Sequence, residues 1–106
     1  SITYAQDKVG IVTDNVEGGD PYRLRIYDRE GSPVFEKPFN YQYTGFDIDG
    51  DLVLLYNDSS CKVYNMTGTE KYNGTFDFTV SKVSAGRFPG TLLVMGPQKM
   101  TEIKLQ

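Results

Sequence analysis

The chain has 106 residues, 39% of them hydrophobic and 13% aromatic, with one cysteine, no histidine and a net charge of −3. That length suits one domain, and its eight Tyr and six Phe supply much of the area a core needs. Lacking histidine, the chain holds no Ser-His-Asp or Cys-His nucleophile system and no His-containing zinc site; its single cysteine forms no intrachain disulfide or thiolate cluster, and its mild acidity gives no basic patch for a phosphate backbone.

Helical periodicity is almost absent. Short β-branched and aromatic runs alternate with Gly, Asn, Asp and Pro turns about every ten residues, the all-β pattern. The opening Ser1-Ile2-Thr3 carries no initiating Met, so a mature or excised product is expected, with any export signal or anchor upstream. Strands are predicted at Lys8–Thr13, Tyr22–Asp28, Pro33–Phe39, Tyr43–Asp49 and Leu52–Asn57. Cys61–Asn65, Glu70–Phe78, Ser81–Ala85, Thr91–Met95 and Thr101–Leu105 follow. The longest apolar run, Leu52 to Tyr56, is far too short to cross a bilayer. It has no polar alternation, which predicts burial on both faces. In contrast Leu24 and Ile26, like Cys61 and Val63, share one face, while Arg23, Arg25 and Lys62 take the other.

These strands repeat. Arg25-Ile26-Tyr27-Asp28-Arg29-Glu30-Gly31 recurs as Lys62-Val63-Tyr64-Asn65-Met66-Thr67-Gly68, an offset of 37 residues that carries on from Phe35/Tyr72 to Phe46/Val83. A period of this size marks a solenoid, a propeller or a similar array. The repeat groups the strands as three, four and three, in units of about 1–43, 44–78 and 79–106. Three extra residues near Arg87-Phe88-Pro89-Gly90 stretch the later offset to 40, aligning Leu52 with Leu92, Val63 with Ile103 and Cys61 with Thr101.

The pattern of turn, apolar strand, turn and x-Val-Tyr-Asn-x-x-Gly, in Gly50–Gly68 and again in Tyr22–Gly31, resembles blades of WD-repeat-like and quinoprotein-type β-propellers. The chain is also similar to an uncharacterised bacterial family of unknown function with propeller-like repeats, a resemblance that implies a membrane-anchored, extracytoplasmic setting; a cytoplasmic one stays open. It has no Trp and no His, so the Gly-His and Trp-Asp signatures and the tryptophan docking motif of quinone enzymes are missing, and no cofactor is expected. The expected fold is all-β, roughly two and a half four-stranded blades. Since a closed ring takes at least about four, the chain is expected to be a fragment of a larger propeller or to pair its open faces with another copy.

Most chemistry-bearing residues have a structural explanation. Asp47-Ile48-Asp49-Gly50-Asp51 superficially resembles a calcium loop, but its glycine is misplaced and a tight hairpin turn accounts for it. Cys61 aligns with Leu24 and is expected to be a buried small hydrophobe. Asn57, Asn65 and Asn73 match the glycosylation pattern, yet turns explain such residues too. Phe39, Tyr41 and Tyr43 alternate, as do Phe76 and Phe78, an arrangement that serves packing or stacks sugars and peptides. The weak binding candidates are Tyr41 and Tyr43, tyrosines where the other unit has Phe78 and Val80, and the inserted Arg87 and Phe88. The expected function is a non-catalytic scaffold or interaction module that binds itself, the remaining blades of a parent chain, a protein or a glycan, without nucleic acid. The alternatives are a piece of an enzyme or sensor whose active centre lies elsewhere, and a compact β-sandwich binding a small ligand.

Overall fold

The computed structural model describes residues 1–105, which form eleven strands and no helix. The first sheet holds β1 (Ile2–Tyr4), β2 (Lys8–Asp14), β3 (Tyr22–Asp28) and β4 (Pro33–Phe39). The second holds β5 (Gly45–Asp49), β6 (Leu52–Tyr56), β7 (Ser60–Asn65) and β8 (Glu70–Thr75), and the third β9 (Lys82–Ala85), β10 (Thr91–Met95) and β11 (Met100–Lys104). Each sheet is an antiparallel meander in chain order. The strands therefore group as four, four and three. The sequence missed β1, because three residues without a hairpin signal carry too little periodicity to stand out.

The repeated Tyr-Asp/Asn-x-x-Gly phrase is a turn device. Asp28 Oδ1 accepts from the amides of Glu30 at 3.0 Å and Ser32 at 2.9 Å. Asn65 Oδ1 does the same for Thr67 at 3.0 Å and Thr69 at 2.9 Å. Gly31 and Gly68 close these turns at φ +84° and +80°, a region that costs a side-chain-bearing residue strain. A bulge follows in each hairpin, between Ile26 and Tyr27 and between Val63 and Tyr64.

The sheets stack face to face in series. Val12, Leu24, Ile26 and Phe39 of the first meet Ile48, Val53, Leu55 and Tyr64 of the second. Leu52, Leu54, Cys61 and Val63, from the opposite face of the second, meet Val83, Leu92 and Val94 of the third, with Val80. The second sheet is thus covered on both faces, which is why β6 reads Leu-Val-Leu-Leu without alternation. Successive stacked sheets with a 37-residue internal period rule out a two-sheet sandwich.

The strand register corrects the later alignment. Val53 pairs with Tyr64 and Ile48 in the second sheet, as Leu92 pairs with Ile103 and Ala85 in the third. All face the preceding sheet, so Val53 corresponds to Leu92 and Tyr64 to Ile103, an offset of 39 and an insertion of two residues. The two-residue turn Gly50-Asp51 becomes the four residues 87–90, closed by the Gly86 amide on the Thr91 carbonyl at 2.9 Å. Offset 40 would put every β10 side chain on the wrong face. Thr101 likewise corresponds to Lys62, and Cys61 to Met100.

Candidate functional site

The four residues singled out from sequence separate into two groups. Tyr41 and Tyr43 lie in the connection between the first two sheets. The Tyr41 hydroxyl is 2.7 Å from Ser60 Oγ, which donates to Asn57 Oδ1 at 2.9 Å. Burial raises the Tyr41 pKa, while the Ser60 hydrogen bond opposes that shift. Tyr43 sits among Tyr22, Phe39 and Phe46 at centroid distances of 5.5, 6.1 and 6.4 Å. Both wedge the first two sheets together. Their hydroxyls explain why tyrosine serves where the other unit has Phe78 and Val80: Tyr41 reaches Ser60, and Tyr43 donates to Ser1 Oγ at 3.0 Å.

Arg87 and Phe88 occupy the inserted loop between β9 and β10. Glu102 on β11 anchors it, accepting from the Arg87 amide at 3.2 Å and its guanidinium at 3.4 Å. The Phe88 ring is 61% exposed, with Arg87 5.7 Å from its centroid. Together they border a groove of about 500 Å³ whose other walls include Asp51, Asn65 and Lys71. The insertion therefore does make a concave, mixed polar and aromatic surface.

A second groove, of about 580 Å³, opens between the second and third sheets and escaped the sequence reading. Tyr72, Phe76, Phe78, Thr101 and Ile103 line it, with Asp77 and Lys99 at its rim. Phe76 and Phe78 are 5.5 Å apart, and Tyr72 stacks on Phe76 at 6.3 Å. Lys99 lies 5.2 Å from the Phe78 centroid and 3.4 Å from Asp77 Oδ1. Burial raises the Tyr72 pKa, with a smaller push from Cys61.

The remaining candidates are structural. Asp47 Oδ1 accepts from Thr3 Oγ1 at 3.2 Å and from the Ile48 amide at 2.9 Å. Asp49 Oδ2 accepts from the Ala85 amide at 2.9 Å, and Gly50 turns at φ +62°. Among the described residues no group of three or more acidic, His or Cys side chains converges to hold a metal. Cys61 is fully buried, and desolvation pushes its thiol up to about 12. Asn57 and Asn65 spend their side-chain oxygens on turns.

Three- and four-stranded antiparallel meanders, stacked face to face with an internal period, define a β-propeller-type array. Residues 1–105 match the family described as "Family of unknown function (DUF5711)", and the chain belongs to that family. It is similar in fold to the crystal structure of HIRA(644-1017), a WD40 β-propeller protein, with a TM-score of 0.68 and 13% identity. The match covers 95% of this chain and 32% of that one, so the chain spans about a third of its structural relative. No curated protein sequence matches. No helix among the described residues is long and apolar enough to cross a membrane.

Proposed function

We propose that this chain is a non-catalytic scaffold module of the WD-repeat-like kind, which works by presenting blade faces and loops to protein partners and associates through the open face of its first sheet. One observation carries the reading. Ile2, Tyr4, Val9, Ile11 and Tyr27 occupy the register positions of Phe46, Ile48, Val53, Leu55 and Tyr64. In the second sheet those positions are packed against the first. In the first sheet Ile2 is 58% and Tyr4 73% exposed. An apolar face of this composition on a surface marks an interaction site. Its outward-turned charges, Arg23 and Arg25, are paired with Glu17 and Glu36 at 2.8 to 3.4 Å and leave the apolar strip clear.

The absence of histidine from the sequence and the committed hydrogen bonds of its aspartates support a role without catalysis. On the family resemblance we place the module outside the cytoplasm of a bacterium, a placement that protease treatment of intact cells tests. For the interface, size exclusion with light scattering over rising concentration is expected to show a dimer or larger species. Tyr4→Glu is expected to shift it to monomer without loss of β-structure by circular dichroism. A wild-type chain that stays monomeric at high concentration overturns the reading.

A further inference from the structure

The groove beside β11 results from a lost side chain next to an open strand edge. At the first sheet–sheet interface Tyr64 fills the space beneath β4, is 2% exposed, and carries the Lys37 ammonium 4.6 Å from its ring centroid. At the second interface the equivalent residue is Ile103, and Thr101 stands where the first has Lys62. The void that results reaches the surface. Phe39 is 2% exposed, whereas its repeat partner Phe76 is only half-buried in the wall of the groove. The outer edge of β11 bounds the same space. The corresponding edges of β3 and β7 are paired with β4 and β8, but among the described residues β11 pairs only with β10.

We propose that the β11 edge and this groove together form a strand-addition site for an extended peptide segment supplied by another polypeptide. The segment pairs with Met100–Lys104 and inserts a large apolar or aromatic side chain among Tyr72, Phe76 and Ile103. Main-chain hydrogen bonds along a free edge supply affinity, and a pocket for alternate side chains supplies selectivity. The register specifies the anchor. Lys62 faces the preceding sheet and pairs with Asn73 on β8, so the peptide residue opposite Thr101 points into the groove. The aromatic walls suit a ring packed on its edge or face, and the rim pair Lys99–Asp77 leaves room for polar flanks of either sign.

The site lies at the other end of the array from the open face of the first sheet, so either proposal fails without the other. The probe is an end-capped heptapeptide, Lys-Thr-Thr-Phe-Thr-Thr-Lys, titrated into the isotopically labelled 106-residue chain and followed by NMR and amide exchange. Expected are saturable shifts at Tyr72, Phe76, Thr101 and Ile103, new protection of β11 amides, and about tenfold weaker binding when Ala replaces the peptide Phe. Ile103→Tyr refills the groove from within and is expected to lose the peptide. Should that variant misfold, the Phe/Ala peptide pair on the wild-type chain still decides. Equal binding of the two peptides, shifts confined to other surfaces, or no binding at millimolar peptide overturns the proposal. Cellohexaose shifting these residues while the peptide does not would also overturn it, and would assign the groove to sugars.

Discussion

Single residues carry more of this fold than their chemistry suggests. Cys61 lies in the interface between the second and third sheets, where desolvation raises its thiol pKa to about 12. Burial, followed by the charges of Glu70 and Asp20, takes the Tyr64 phenol to about 12 as well. Both groups hold their protons more tightly folded than unfolded. Their neutral forms thus cost nothing at neutral pH, and the native state loses stability as pH rises from about 9 towards about 12, by up to about 1.4 kcal/mol per pH unit for each group. Urea melts across that range should show the decline, with a shallower slope in Cys61→Ala. A thiol reagent is expected to label native Cys61 only at the rate of unfolding, and fast labelling would refute its burial. The turn residues make a second test at this scale. Asn65→Ala strips two amides of their acceptor and is expected to cost about 1–2 kcal/mol in chemical denaturation, whereas Asn65→Asp, the residue type at position 28, should cost far less.

Strands and sheets place these residues through close contacts that composition does not show. Gly10 on β2 occupies the position that Leu54 holds on β6. A Cβ there would lie 2.8 Å from Phe46 Cζ and 3.0 Å from Ile48 Cδ1, so the larger Phe46 and Ile48 of the second sheet use the space a side chain would take. Gly10→Val is therefore expected to overpack the first interface and cost about 2 kcal/mol in denaturant midpoint analysis; an unchanged midpoint would mean that the sheets are not in contact there. Asp49 ties the second sheet to the inner edge of the third through the Ala85 amide. The acidic run 47–51 is explained by that bond, by Thr3 and by a two-residue turn, which is why its resemblance to a metal loop led nowhere.

As a molecule the chain is a linear array in which each sheet touches only its sequence neighbours, so stability is expected to be a sum of sheet and interface contributions. The second sheet alone is covered on both sides, and Val53, Leu54 and Leu55 are fully buried. Amide exchange should accordingly be slowest in β6 and β7 and faster in β1 and β11. Slowest exchange in the first or third sheet would contradict the serial arrangement.

Much of this was legible in the sequence. Ten of the eleven strands, the 37-residue period and the burial of Cys61 followed from alternation, turn residues and internal similarity, all of which are local properties of the chain. The candidate sites were less legible. The insertion at Arg87-Phe88 was visible because it interrupts the repeat. The aromatic groove was hidden, because aligning Ile103 with Val63 matched two apolar residues and concealed that Ile103 stands in the place of Tyr64. Only the tertiary structure decided which face each β10 and β11 residue takes, since one residue of register reverses every side chain while leaving hydropathy nearly unchanged. It also decided that Tyr41 and Tyr43 are packing residues and that Ile2 and Tyr4 are exposed. Local sequence sets strand and turn; whether a side chain fills a gap or leaves one depends on the shape of the sheet opposite.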